Sequence, residues 1–210
     1  MNRDVVVVIG AGGIGQATAR RQGAGRSVLL ADFNENTLQT AAAALKGAGC
    51  SVSTQHVDVS SRESVRALAE TATALGSVVQ VAHTAGVSPV QAPPARVLAV
   101  DLLGTALVLE EFGRVIAPGG AGIVISSMAG YMPAPLDPAH EAALAHTPTD
   151  ELLQLPILPG GGGPKFGSCV RPREARQSPA RAGGQRPLGR PRRPRQLHQP
   201  WHCPDAARAG

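Results

Sequence analysis

Val5-Val6-Val7-Val8-Ile9-Gly10-Ala11-Gly12-Gly13-Ile14-Gly15 decides the fold of this chain. Five β-branched residues in succession predict a short strand buried on both faces. The glycines that follow predict a tight turn into a helix: Gly10 allows the turn, Gly12 lets backbone approach a pyrophosphate, and Gly15 lets the helix pack close to the strand. Gly13 and Ile14 then stand at a helix N-terminus, whose unpaired N–H groups suit a phosphate. Asp32, at the end of a second apolar run Ser27-Val28-Leu29-Leu30-Ala31, lies about 20 residues beyond the first glycine, where a carboxylate accepts ribose hydroxyls. A fixed negative charge there repels a 2′-phosphate and favours NAD over NADP. Singly, the glycines also suit an ordinary loop and Asp32 a solvated strand end. The nucleotide reading is selected by strand, glycines, helix and acid standing in register.

Composition narrows the class. A chain of 210 residues is long enough for one α/β domain with a substantial core. Cys50, Cys169 and Cys203 have no metal-ligand spacing and leave an odd thiol, so neither a disulfide framework nor a metal site is expected. No apolar run reaches the ~20 residues of a membrane span, and the N-terminus has strand character rather than a basic segment followed by an apolar one. A soluble protein in a reducing, cytoplasmic setting is the expectation. The net charge of +5 divides unevenly: residues 1–160 hold 9 Lys+Arg and 13 Asp+Glu, net −4, while residues 161–210 hold 11 and 2, net +9.

Up to Ser127, short apolar runs alternate with helical periodicity, the pattern of a parallel sheet with crossover helices. Strands are expected at Val5–Ile9, Ser27–Ala31, Ser51–Val57, Val78–His83 and Gly122–Ser126, and helices at Gly13–Gln22, Glu35–Lys46, Arg62–Leu75 and Ala95–Ile116. Asn34 caps the second helix and Ser60 or Ser61 the third. Pro118-Gly119-Gly120 is expected to end the fourth helix and turn the chain into the fifth strand. The fold class is therefore α/β, a Rossmann-type doubly wound parallel sheet over residues 1–130. Residues 131–160 read as irregular, with one short helix around Thr149–Leu155 capped by Thr147 or Thr149. Residues 161–210 are rich in Arg, Pro and Gly without apolar periodicity and read as a disordered basic tail.

Further motifs give the first 130 residues a resemblance to the short-chain dehydrogenase/reductase family. Asp58-Val59 looks like the family's adenine-contacting acidic residue and its neighbour. His83-Thr84-Ala85-Gly86 stands where the family has Asn-Asn-Ala-Gly, so Ala85 and Gly86 are placed beside the cofactor's inner ribose. Asp101, in Val100-Asp101-Leu102-Leu103-Gly104-Thr105, takes the position of the active-site Asn. Ser127, in Ile125-Ser126-Ser127-Met128-Ala129-Gly130, matches the catalytic serine. The resemblance implies oxidoreduction of a small-molecule alcohol or carbonyl with NAD, usually in a homo-oligomer. The glycine turn is one residue shorter than the family's G-x-x-x-G-x-G. His83 is open to two readings, as a strand-end structural residue or a cofactor contact. Asp101 likewise reads as a relay residue or as a solvated helix residue.

One part of the family's chemistry is missing. Its tyrosine, four residues before a lysine on one helix face, exchanges a proton with the substrate oxygen. A phenol near pKa ~10 needs a neighbouring cation to do so at neutral pH. The single tyrosine here, Tyr131, is followed four residues later by Pro135, and the lysines are Lys46 and Lys165. The tail suggests a cause. Shifted by one nucleotide, Ser168 to Ala175 is codon-compatible with A-A-Y-A-L-A-K, which restores Y-x-x-x-K. In the same frame Arg186 to Cys203 is compatible with A-R-W-G-A-R-G-A-R-V-N-S-I-S-P-G-I, similar to the family's next strand and Pro-Gly turn. The other reading of the tail is a basic arm for nucleic acid or a membrane surface. With Phe166 and Trp201 its only Phe, Tyr or Trp residues and no repeating basic motif, a nucleic-acid partner is not expected.

Overall fold

The five β-branched residues at the start form the centre of a parallel sheet. The computed structural model describes residues 3–128 and 136–158, all within one compact unit spanning residues 1–165. Strands β1 (Asp4–Ile9), β2 (Ser27–Asp32), β3 (Ser51–His56), β4 (Ser77–His83) and β5 (Ile116–Val124) lie in the order β3-β2-β1-β4-β5. Every neighbouring pair is parallel. Helices α1 (Gly13–Gln22), α2 (Glu35–Gly47) and α3 (Arg62–Leu75) make the crossovers. The fourth connection runs through α4 (Pro94–Val97), a π-helical segment Leu98–Leu103 and α5 (Gly104–Gly113).

The pleat sorts β1 between two cores. Val6 and Val8 face Leu38, Ala41 and Leu45 of α2 and Ala19 of α1. Val5, Val7 and Ile9 face Val65, Leu68 and Ala72 of α3 and Leu107 and Phe112 of α5. With both faces covered, β1 carries no polar alternation, as expected for the central strand of a doubly wound sheet. The chain leaves β1 toward β2 and returns past it to β4. The carboxyl ends of β1 and β4 therefore flank the topological switch point where such sheets bind ligands.

Caps fall as the sequence indicates at two helices. The Asn34 side chain accepts from Thr37 N at 2.9 Å, and the Ser61 hydroxyl accepts from Ser64 N at 3.3 Å.

Three expectations around the fourth connection and β5 need correction. The helix expected over Ala95–Ile116 ends at Gly113, and its middle widens into the π segment. Pro118-Gly119-Gly120 lies inside β5 rather than at the end of the helix. The register jumps there from Val78↔Ile116 to Gln80↔Ala121, and Gly119 takes φ 78°, so these residues bulge out of the strand. The strand then stops at Val124 instead of Ser126.

The irregular stretch contains a second helix, α6 (Pro138–His146), besides the 3-10 helix Thr149–Gln154. Pro138 sits in the first turn, where a missing N–H costs nothing. Asp137 caps the helix by accepting from Ala139 N at 2.8 Å. The 3-10 helix begins after Pro148 with no side-chain cap, so neither Thr147 nor Thr149 has the expected role. Tyr131, Pro135 and the tail lie outside the described residues.

Candidate functional site

The turn after β1 is shaped by contacts that exclude side chains. Gly10 has φ 103°, and a Cβ there would stand 2.6 Å from Ala85 N and Thr84 Oγ1. A Cβ on Gly15 would collide with the Gly10 carbonyl oxygen. Cβ atoms on Gly12 or Gly13 would meet nothing within 4 Å, so the space over the start of α1 is open. The N-cap, Gly12, offers no side-chain hydrogen bond and the first turn has no acidic residue. The N–H groups at Gly13, Ile14 and Gly15 thus form an uncapped, electropositive helix start, a suitable receptor for a diphosphate.

Asp32 at the end of β2 is held on both sides. Its Oδ2 accepts from Ala11 N at 2.6 Å and its Oδ1 from Asn34 N at 2.7 Å. The carboxylate therefore fastens the glycine turn to the β2–α2 turn. Each oxygen retains a lone pair, so the orientation suits two further hydroxyl donors. Thr84, which the sequence did not single out, closes the opposite wall: its N donates to Ile9 O at 2.7 Å. Its hydroxyl lies 3.1 Å from Ile9 O and 3.0 Å from Gly10 O.

These residues line a groove of about 440 Å³ that contains Gly10, Gly12, Asp32, Asp58, Val59, Ala85 and Gly86. The structure thus gathers expected residues from four loops. It adds Phe33 and Arg96 to the groove wall. The Asp58 carboxyl sits below its usual range. Burial is the largest influence and opposes ionisation, but hydrogen bonds from the Ser60 hydroxyl and N–H, with the Arg96 charge, outweigh it. Ser60 Oγ donates to Asp58 Oδ1 at 2.6 Å and Ser60 N at 3.0 Å.

A second cavity of about 660 Å³ shares Ala85, Gly86, Val87 and Gln91 with the first and also contains Asp101, Thr105, Ser126 and Ser127. Asp101 and Ser127 therefore border one space. Asp101 lies in the π segment, and its Oδ1 accepts from Val87 N at 2.9 Å. The Thr105 hydroxyl donates to its carbonyl at 2.7 Å. Exposed though it is, Asp101 fixes the loop after β4 beside the groove. π-Helical turns are over-represented at functional sites.

His83 lies at the end of β4, paired with Ile9 and Val124, and lines neither cavity. Its ring is 1% exposed, and among the described residues neither nitrogen has a hydrogen-bond partner. Burial pushes its pKa down to about 4, so it is neutral at physiological pH.

Comparison with known proteins agrees with this geometry. A family model described as short chain dehydrogenase matches residues 4–145. A short-chain dehydrogenase/reductase, bsc3, of Alternaria brassicicola is 46% identical over 75% of this chain and 58% of its own length. The chain thus spans little more than half of that relative. A short-chain dehydrogenase/reductase from Burkholderia phymatum, solved with NAD, superimposes with a TM-score of 0.57 at 27% identity, covering 69% of this chain and 56% of that one. A metagenomic short-chain oxidoreductase, solved with NADP, gives a TM-score of 0.52 at 30% identity, covering 62% and 65%. With its parallel sheet, glycine turn and paired cavities, the chain belongs to the short-chain dehydrogenase/reductase family of oxidoreductases.

Proposed function

We propose that this chain is the nucleotide-binding half of an NAD-preferring dehydrogenase and that, as written, it lacks the means to complete the reaction. The observation that carries the nucleotide preference is Asp32, a carboxylate locked by two backbone N–H groups at the rim of the groove. A 2′-phosphate entering there would meet fixed negative charge; Phe33 and Asn34 of the β2–α2 turn contribute no cation, and the Arg96 guanidinium beside Phe33 is paired with Asp58. The open backbone at Gly12 and Gly13 fits a diphosphate, Asp58 and Val59 fit the adenine end, and Ala85 and Gly86 the inner ribose. A nicotinamide nucleotide bound in this way supplies the hydride acceptor or donor.

In the second cavity the Ser127 hydroxyl would hydrogen-bond the oxygen of a small alcohol or carbonyl substrate, where such a donor stabilises developing negative charge. Asp101 holds the loop that separates substrate from cofactor. Proton exchange needs a phenol with a neighbouring ammonium, and the sequence pairs Tyr131 with Pro135 instead. The frame shifted by one nucleotide restores Y-x-x-x-K downstream, so we read the intact enzyme as encoded across a frame change before Ser168. A second reading, a non-catalytic NAD-binding module, is favoured by the missing dyad alone and uses the same groove.

Isothermal titration tests the nucleotide assignment. NAD should bind more tightly than NADP, and Asp32→Ala should narrow the difference by on the order of tenfold, since it removes a like charge at short range. Tighter NADP binding by the unaltered chain would overturn it.

A further inference from the structure

The end of the first groove nearest β3 carries a cation that the dinucleotide reading leaves without a role. Arg96 extends from α4, its Nη1 donating to Ser60 Oγ at 2.8 Å and its Nη2 standing 3.4 and 3.5 Å from the two Asp58 carboxylate oxygens. Its guanidinium carbon is also 5.5 Å from the centre of the Phe33 ring, which lies 5.4 Å from the His56 ring at 47°. One side chain therefore joins the α4 side of the groove to the β2–α2 turn and to the end of β3. Between these walls lie Val57, Val59 and Asp58, an apolar slot with a carboxylate on its edge.

A slot of that chemistry would distinguish purines by their 6-substituent. An ionised carboxylate only accepts hydrogen bonds; it matches the amino group of a 6-aminopurine and repels the carbonyl of a 6-oxopurine. A free guanidinium would do the reverse, because arginine pairs with O6 and N7 of a 6-oxopurine. Here Nη1 is engaged by Ser60 and Nη2 faces Asp58. Asp58 Oδ1 receives both Ser60 donors, while Oδ2 has Arg96 alone. The carboxylate is left with acceptor capacity, and its orientation is set from outside.

Resting on the dinucleotide reading of the groove, we propose that Arg96 is the specificity-determining residue of its purine end. Tied to Ser60 and Asp58 and lying against Phe33, it fixes the carboxylate as an acceptor for a 6-aminopurine and excludes a 6-oxopurine. Arg96 acts through Asp58 and is a positioning residue. The cation–π contact with Phe33 draws that exposed ring toward the same slot.

The experiment compares the Kd of NAD with that of nicotinamide hypoxanthine dinucleotide for the full chain, Arg96→Met and Arg96→Lys. The unaltered chain should prefer NAD roughly tenfold or more, the discrimination expected when a polar group is left facing the wrong partner. Arg96→Met should bring the two within a few-fold, and Arg96→Lys should recover most of the preference. In Arg96→Met the acid limb of NAD binding should also move to higher pH, because Asp58 loses its cation. A structural role alone would weaken both ligands equally and leave that limb in place; this result overturns the proposal. Should Arg96→Met fail to fold, Arg96→Gln removes the charge while keeping a side chain that can hydrogen-bond, and the same ratio decides. If the unaltered chain binds neither dinucleotide, the groove itself has been misread. Binding with an unchanged ratio refutes the role of Arg96 alone.

Discussion

A histidine closed off from water at the end of β4 makes the stability of this fold depend on acidity. The folded His83 titrates at about 4 because burial disfavours its cation, whereas in an unfolded chain it titrates near 6.5. Between these values the unfolded chain takes up a proton that the folded chain refuses, so stability falls as pH drops through this window. The loss from this group is about 2 kcal/mol at pH 5 and approaches about 3 kcal/mol near pH 4. His83→Leu should remove it: urea unfolding at pH 7 and pH 5 should differ less in the variant than in the parent chain by about that amount. Equal pH dependence would show that His83 finds a proton acceptor in the folded state. At single residues, the sequence made legible those roles that backbone geometry imposes. Gly10 and Gly15 are needed because a Cβ would strike neighbouring atoms, and a glycine spacing records that need. Thr84, Phe33 and Arg96 were not legible. Arg96 meets Asp58 across 38 positions of chain, and no local pattern announces such a meeting.

Among the elements, the charged network behind α3 shows what joins the last described segment to the sheet. Arg62, at the start of α3, donates to Glu111 at 2.9 Å, to Glu110 at 3.0 Å and to Asp150 of the 3-10 helix at 2.9 Å. Glu111 is buried and also bridges Arg114 at 3.2 Å and Arg66 at 3.6 Å. The Arg62 hydrogen bond, first among several influences, holds Glu110 below the usual carboxylate range. Arg62→Met should cost about 1–3 kcal/mol in urea unfolding, because it leaves a buried carboxylate with fewer partners. It should also expose residues 149–154 to protease, since Asp150 loses its anchor. Unchanged stability and unchanged cleavage would show the network to be a solvated surface array. Helices with a cap and a regular apolar face, such as α2 and α3, could be placed from sequence to within a residue or two. The π segment could not, because Val97 to Thr105 reads as ordinary helix, and the widening arises where Asp101 accepts from Val87. The β5 bulge was misread for a related reason. Pro-Gly-Gly signals a reversal, but here Val78 and Gln80 pair on either side of it.

For the molecule as a whole, the parallel direction of the strands and the doubly wound class followed from the alternating pattern, since a parallel sheet with right-handed crossovers leaves few arrangements. What lies beyond β5 did not. On the α1 side of the sheet, Ile14, Ile123 and Ile125 are 56%, 55% and 40% exposed and border a shared cavity with Ala17 and Ala82. Among the described residues no helix besides α1 lines this apolar cavity and β5 is an edge strand, a combination that invites association. Sedimentation velocity should show concentration-dependent association of the chain, reduced in the double variant Ile123→Lys, Ile125→Lys. A monomer at every concentration would mean that the face is covered. The proposed frame-shifted reading would account for the open face and for the missing Y-x-x-x-K together, which makes turnover the deciding measurement. NADH oxidation should be followed with a panel of small ketones and aldehydes, using the chain as written beside the product of the restored frame. The chain as written should show no appreciable turnover while the restored protein turns over. Robust turnover by the chain as written, abolished by Ser127→Ala, would contradict this reading by showing that another group has taken the place of the tyrosine.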